Sequence, residues 1–297
     1  MKMRHVLAAL LCAMLTLPAC AAVSARDDAG HTITLPQPAK RIISMAPHVT
    51  ELLFAAGAGP QIVGAVAYSD YPEAARAIPR VSDALQLDLE RIVALRPDLV
   101  VVWSHGSPER QVEQLRRLGI PLYFNDPRRL DDIPDSIGRL GHLAGVDASA
   151  NAAAAALRAR LAALADHDGE RRSLRVFYQV WNKPLYTLGG AHIVSDAIRL
   201  CGGENIFASE RAAAPAVGIE AVLAADPDVI IGSAGPDAPD GALAMWRAYP
   251  GMRAVRFGNL LTVDGILLNR AGPRMIDGVA QLCARFDEAR RHAMGKR

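Results

Sequence analysis

Apolar residues cluster in short runs along the first half of the chain, and these runs alternate with segments of helical periodicity. Residues 41–45, 62–66 and 99–103 are short and mostly apolar, as is typical of buried strands. Residues 89–95 and 109–118 instead carry apolar side chains at helical spacing. The repeated order of strand and helix predicts a parallel sheet covered by helices.

The same alternation restarts in the second half. Strands are predicted at residues 176–180 and 229–231, helices at 194–200 and 219–225, and a closing helix at 275–289. In the first half, Thr50 is predicted to cap a helix over residues 51–56 that ends at Gly57.

The two halves repeat each other at an offset of 130 residues. Leu89-Glu90 corresponds to Ile219-Glu220, and both copies continue into Pro-Asp followed by an apolar strand, at residues 97–101 and 227–231. The correspondence runs over thirteen positions without a gap. Two related α/β lobes explain this repeat, whereas a solenoid needs more copies and a shorter period.

An alanine-rich segment at residues 149–165 lies between the halves and is predicted to form one helix, with Leu157, Leu161 and Leu164 as its apolar stripe. We therefore expect an N-terminal lobe at 26–145, a linking helix at 146–170 and a C-terminal lobe at 171–297. The predicted fold class is α/β, with two related lobes, each built on a central parallel sheet, joined by one long backbone helix.

The first 25 residues have the pattern of a signal peptide. Lys2 and Arg4 precede an apolar run at 6–17 that is too short to span a bilayer, and small residues suggest cleavage after Ala25. This predicts export to the periplasm. An alternative is a lipoprotein anchored at Cys20, because residues 17–20 partly fit the lipid-attachment pattern. No later segment is predicted to cross a membrane.

Composition, charge and the absence of catalytic motifs exclude several classes of function. The chain has 297 residues, 51% hydrophobic and 22% charged, with a formal net charge of +2. Lys2 and Arg4 belong to the leader, so the remainder has equal numbers of basic and acidic residues, which argues against nucleic-acid binding. No nucleophile elbow, phosphate-binding loop or zinc-binding motif is present, and no Cys or His pair has close metal-ligand spacing. We expect neither catalysis nor a resident metal or cofactor.

Cys201 and Cys283 are the cysteines that remain beyond the leader. An even number in an oxidising compartment favours a disulfide, and two buried free thiols are the alternative.

Three aromatic residues and one arginine are candidate ligand contacts. Tyr68, Trp103 and Trp181 lie at or just beyond the carboxyl ends of predicted strands, where α/β sheets bind ligands. Arg270 precedes the last helix and could meet an anionic group. Ordinary loop packing is the alternative for each of them.

Glu90 and Glu220 occupy equivalent places in the two halves, each in the first turn of a predicted helix. The helix dipole alone favours a carboxylate there. Their equivalence also suits a partner that has twofold symmetry and carries basic pockets.

Several motifs together indicate a family. Arg41-Ile42-Ile43-Ser44, Tyr68-Ser69-Asp70-Tyr71-Pro72, Leu89-Glu90-Arg91-Ile92, Pro97-Asp98-Leu99-Val100 and Cys201-Gly202-Gly203-Glu204-Asn205-Ile206-Phe207 occur in the family's order. The chain resembles the periplasmic vitamin B12-binding proteins of cobalamin ABC importers over nearly its whole length. These belong to the class III solute-binding proteins, clamshells whose two lobes are joined by a single long helix.

The resemblance implies a cargo, a partner and residue roles. Cobalamin or a related corrinoid would bind between the lobes of a monomer and pass to the permease dimer in the inner membrane. Tyr68 and Trp103 would line the corrin site. Glu90 and Glu220 would dock on arginines of the permease, and Cys201 and Cys283 would form the family disulfide.

The chain also departs from the family pattern. Ala84, Ala214 and Leu267 stand where the B12-binding relative has tryptophans, and Trp181 and Tyr186 are candidates to compensate. Part of the pocket wall is therefore expected to differ. Haem or an iron–siderophore chelate is the alternative cargo, with His48, His105 and Tyr68 as candidate haem ligands.

Overall fold

The computed structural model describes residues 22–82, 86–104, 106–166, 172–234 and 242–295. Within these ranges the chain forms two lobes, each with a four-stranded parallel sheet, as the sequence predicts. No helix in the described ranges combines the length and the hydrophobicity that crossing a bilayer requires.

The first lobe opens with an antiparallel hairpin of β1 (Val23–Arg26) and β2 (Thr32–Leu35). Its main elements are β3 (Ile42–Ser44), α1 (Pro47–Ala56), β4 (Ile62–Ala65), α2 (Leu89–Ala94), β5 (Leu99–Trp103), α3 (Glu109–Arg117), β6 (Leu122–Asn125) and α4 (Asp132–Ala144). The sheet order is β4-β3-β5-β6. The long helix α5 (Asp147–Ala165) follows.

The second lobe repeats this plan. Its elements are β7 (Leu174–Gln179), β8 (Trp181–Asn182), β9 (Leu185–Tyr186), α6 (Ile193–Leu200), β10 (Gly203–Asn205), α7 (Ile219–Ala225), β11 (Val229–Ala234), α8 (Arg253–Arg256), β12 (Leu260–Asp264), α9 (Gly265–Leu268) and α10 (Met275–Gly295). The sheet order β10-β7-β11-β12 places each strand where its counterpart lies in the first sheet.

The internal repeat extends to hydrogen bonds. Asp98 and Asp228, 130 residues apart, each accept a backbone N–H through their carboxylate, from Arg41 and Arg175 respectively, both at 3.0 Å. The side chains of these two arginines in turn donate to the carbonyls of Leu95 and Ala225. In each lobe, these hydrogen bonds connect the start of a central strand, β3 or β7, to the turn after helix α2 or α7.

The same turns share an uncommon backbone conformation. Arg96 has φ 44° and Asp226, its counterpart, has φ 42°. Both residues precede a proline, which disfavours a continuing helix. The sequence repeat therefore reflects a repeated fold, including a left-handed turn that a non-glycine residue adopts at some cost.

Helix α5 connects the lobes. Its buried residues Ala150, Ala154, Leu157 and Leu161 follow helical spacing. Gly141 in α4 allows close packing, because an added Cβ would lie 2.1 Å from Ala150 Cβ. Ion pairs from Arg158 and Arg160 then attach α5 to Asp135 in α4 and to Asp277 in α10.

Three local expectations differ from the structure. Helix α1 begins at Pro47 and not after Thr50, because proline suits the first helical turn, where an N–H has no intrahelical acceptor. Thr50 instead lies within the helix, and its side-chain hydroxyl hydrogen-bonds Ser44 Oγ at 2.7 Å. Helix α4, with Pro134 in its first turn, was not predicted.

The third difference concerns the leader. Val23, Ser24 and Ala25, placed by the sequence analysis in the signal peptide, form β1 with Arg26 and pair with residues 33–35. Residues 1–21, including Cys20, lie outside the described ranges.

The predicted disulfide is present. Cys201, which follows α6, bonds to Cys283 in α10, and both residues are buried. The bond fixes the closing helix against the second lobe across a sequence separation of 82 residues.

Candidate functional site

A cavity of about 620 Å³ lies between the two lobes. The first lobe contributes the start of α1, the end of β5 at Trp103 and the loop after β6. The second lobe contributes the start of α6, the loop after β10 and the segment before α10, which holds Arg270. The walls are therefore built largely from segments at the carboxyl ends of strands, where α/β proteins bind ligands.

Trp103 and His48 form one wall of the cavity. Their rings meet edge to face, with centroids 5.4 Å apart. Trp103 is 37% exposed, so its indole presents apolar surface to the cavity. Gly106 permits this position of the indole, since a Cβ there would lie 1.8 Å from the Trp103 ring.

His48 is neutral at physiological pH. Burial lowers its pKa to about 4, with Arg270 acting in the same direction and Asp126 opposing both. Its Nε2 atom is buried and has no hydrogen-bond partner among the described residues. The imidazole thus adds a neutral polar group beneath Trp103.

Arg270 lies at the junction of the cavity and the lobe interface. Its Nη1 atom is 3.8 Å from Glu51 Oε1, at a carboxylate that Arg274 already holds with two hydrogen bonds of 3.0 and 2.6 Å. Arg274 also lies 3.9 Å from the centroid of the Tyr71 ring. Glu51 is therefore a buried carboxylate shared by two arginines of the opposite lobe.

Tyr68 lies in a smaller adjacent pocket of about 250 Å³, which shares Pro47 and Trp103 with the inter-lobe cavity. It is 63% exposed and has φ 62°, a conformation that is rare for a bulky residue. Such strain at an exposed aromatic residue points to a functional role.

Trp181 is not brought to the cavity. It lies in β8, directly beyond the carboxyl end of β7, and donates its indole N–H to the Lys183 carbonyl. Its side chain is 58% exposed and is not part of the cavity wall. A ligand would reach Trp181 only by extending outside the cavity.

Glu90 and Glu220 are exposed second residues of α2 and α7. Neither takes part in an ion pair between residues that the structure describes. Each thus presents a carboxylate to solvent at the corresponding place in its lobe.

Several cavity residues were not predicted from the sequence. Arg128 follows β6, Arg211 lies in the loop after β10, and His192 precedes α6. The position of Arg128 just beyond a strand was a usable signal, whereas Arg211 lies within a long loop, well beyond the end of β10. Ala214 also lines the cavity, whereas Ala84 and His105 lie outside the described residues. No group of three potential metal-binding side chains occurs in the part of the chain that the structure describes.

Comparison with known proteins agrees with this architecture. The sequence profile of the periplasmic binding protein family matches residues 42–267. A vitamin B12-binding protein of Vibrio cholerae is 39% identical over 252 residues, which are 84% of this chain and 89% of that protein.

Two solved structures are also similar. The crystal structure of the periplasmic vitamin B12-binding protein of Vibrio cholerae has a TM-score of 0.77 at 38% identity, covering 85% of this chain and 98% of that one. A periplasmic heme-binding protein from Roseiflexus in apo form has a TM-score of 0.70 at 26% identity, covering 84% and 99%.

Proposed function

This chain belongs to the periplasmic binding protein family, and from that premise we propose that it captures cobalamin or a related corrinoid and delivers it to an ABC importer. The corrinoid binds in the inter-lobe cavity. The protein acts in the periplasm, where the inner-membrane permease receives the cargo, and it performs no chemistry on it.

The observation that supports this most strongly is the extent of the similarity to vitamin B12-binding proteins. It covers 98% of the Vibrio cholerae structure and so includes both lobes and the cavity between them. Binding by a protein of this architecture depends on two walls at once, because each lobe supplies half of the lining. Similarity across both lobes therefore favours the same class of cargo.

Trp103 and Arg270 carry the binding role from opposite lobes. Trp103 offers a flat apolar face to the macrocycle, and Arg270 meets a polar group at its edge. Tyr68 and Trp181 contact parts of the cargo that extend beyond the cavity. A corrinoid has bulky peripheral substituents, so such an extension is expected.

Haem or an iron–siderophore chelate is a second candidate cargo. Ala214 supports it, since a small side chain lines the cavity where the resemblance leads us to expect a tryptophan. The Roseiflexus heme-binding protein has the same fold over 84% of this chain. Small side chains remove apolar contact on which a corrinoid would depend.

Delivery depends on Glu90 and Glu220. Their exposure and their equivalent positions suit a permease dimer that offers one basic pocket to each lobe. The protein docks as a monomer, with one carboxylate on each half of the permease.

An absorption and fluorescence titration tests the cargo. Purified protein is titrated with cyanocobalamin and separately with haemin while tryptophan emission is recorded. We expect saturable quenching by cyanocobalamin, and Trp103→Ala should weaken this binding by about tenfold or more, because an aromatic wall is lost. Trp246→Phe is the control, since Trp246 is fully buried in the second lobe, away from the cavity. Saturable binding of haemin with none of cyanocobalamin would contradict the corrinoid assignment.

A further inference from the structure

The charged residues that line the inter-lobe cavity are mostly positive. Of the residues that the structure describes, three arginines line it, Arg128 from the first lobe and Arg211 and Arg270 from the second, and one acidic residue, Asp126. The arginines belong to three separate loops, so their charges surround the cavity and do not lie along one helix face.

Only part of this positive charge is neutralised by the protein. Arg128 Nε is 3.0 Å from Asp126 Oδ2. Arg270 reaches the Glu51 carboxylate at 3.8 Å, but Arg274 already binds both oxygens of that group. Arg211 takes part in no ion pair recorded between the described residues. Among the described residues, the cavity therefore contains one arginine outside any ion pair, Arg211, and one, Arg270, that shares its carboxylate with Arg274.

Most of the remaining wall is apolar, and its polar members are His48, His192 and Asn269. Trp103, Pro127, Ile193 and Ala271 all contribute to it, and His48 is neutral. An apolar enclosure with cationic groups at its edge suits a ligand with a flat apolar body and an anionic substituent. Guanidinium groups match the planar fork of phosphate and carboxylate oxygens. Partial exclusion of water strengthens such contacts.

We propose that Arg211 and Arg270, assisted by Arg128, form an anion subsite that binds an oxyanion on the periphery of the cargo. The inference rests on the proposed function in so far as the cargo is a metal tetrapyrrole. Two sources share this chemistry: the phosphodiester in the nucleotide loop of a complete corrinoid, and the carboxylates of haem. Affinity then depends on the negative charge at the rim of the cargo as well as on its flat apolar body.

The test compares cargo pairs that differ in this charge. Cyanocobalamin is compared with dicyanocobinamide, which lacks the phosphodiester, and haemin with its dimethyl ester. For the cargo that binds, we expect the member that carries the oxyanion to bind about tenfold more tightly, which is the effect of one charge-assisted hydrogen bond. Raising the salt concentration should reduce this ratio.

Arginine variants identify the subsite. Arg211→Gln and Arg270→Gln should each bring the ratio close to one by weakening the member that carries the oxyanion. For Arg211→Gln, affinity for the member without the oxyanion should stay within about twofold. Arg285→Gln is the matched control, because Arg285 is an exposed arginine of the second lobe that pairs with Glu288 outside the cavity.

The outcomes separate the two proposals. If haemin binds more tightly than its ester and no corrinoid binds, the anion subsite stands and the corrinoid function fails. If cyanocobalamin and dicyanocobinamide bind equally well, and Arg211→Gln changes neither, the function stands and the subsite is overturned. A chain that binds no tetrapyrrole of either kind overturns both.

Discussion

Arg274 binds Glu51 through both carboxylate oxygens, at 3.0 Å from Nε to Oε2 and 2.6 Å from Nη2 to Oε1. The two residues are 223 positions apart and belong to different lobes. These hydrogen bonds raise the pKa of Arg274 above its ordinary value, so its guanidinium stays charged. Because Glu51 is buried, this contact ties the lobes together directly behind the cavity.

Removing Arg274 should destabilise the protein. Arg274→Ala leaves a buried carboxylate with only the more distant Arg270 as a partner, and we expect a loss of about 3 kcal/mol in the free energy of unfolding. Urea denaturation monitored by circular dichroism measures it. Arg158→Ala is the control, because its pair with Asp135 is half exposed and should contribute less than about 1 kcal/mol. Equal effects from both substitutions would contradict this assignment.

His48 should make stability depend on pH. The unfolded imidazole takes up a proton near pH 6.5, whereas in the folded protein its pKa is about 4. The unfolded state therefore binds more protons between these values, so stability is highest above pH 6.5 and falls as the pH drops towards 4, by about 3 kcal/mol in total.

Urea denaturation of the wild type and His48→Gln across this range tests the assignment. The wild type should lose more stability than the variant between pH 6.5 and 4.5. His142→Gln, at a half-exposed histidine paired with Asp147, is the matched control. Parallel pH profiles for the wild type and His48→Gln would show that His48 does not titrate in this way.

Reversing the charges of Glu90 and Glu220 should abolish binding to the permease without changing ligand affinity. In Glu90→Lys/Glu220→Lys, ligand affinity should stay within about twofold, because both residues are exposed and lie outside the cavity, while like-charge repulsion abolishes binding to the permease. Ligand titration and uptake by importer-containing vesicles measure the two effects. The control is Glu73→Lys/Glu204→Lys, which reverses one exposed glutamate in each lobe. Lost ligand affinity with intact uptake would refute the docking role.

The mature protein should keep β1 complete. Cleavage after Ala25 would remove three of its four residues, although these pair with residues 33–35 and Arg26 then accepts hydrogen bonds from Tyr123 and Arg139. Ala19-Cys20-Ala21 offers a small-residue cleavage site earlier in the chain than Ala25, so we expect the mature chain to begin at Ala22. Intact mass spectrometry of protein exported in its native host measures this. A chain that begins at Arg26 contradicts the expectation, and a lipidated Cys20 supports the lipoprotein alternative.

Much of the fold followed from local patterns. Helix α7 and strand β5 lie where periodicity placed them, and the Leu89-Glu90 and Ile219-Glu220 repeat indicated two equivalent lobes. Local patterns did not predict the start of α1 or the existence of α4, because steric fit and packing decide both. Pro47 starts α1 a turn before the favourable cap at Thr50, and α4 tolerates Pro134 and Gly141 because they lie in its first turn and at its contact with α5.

Most of the order of strands and helices, the repeat between the lobes and the equivalent places of Glu90 and Glu220 followed from the sequence, because periodicity and internal similarity carry them. Two cysteines beyond the leader also left Cys201 and Cys283 as the candidate disulfide. The tertiary structure alone decided which loops meet. It brings Arg128 and Arg211 to Arg270, joins Glu51 to Arg274 and leaves Trp181 outside the cavity. These relationships depend on the angle between two lobes and on contacts between distant loops, and no short-range pattern along the chain encodes either.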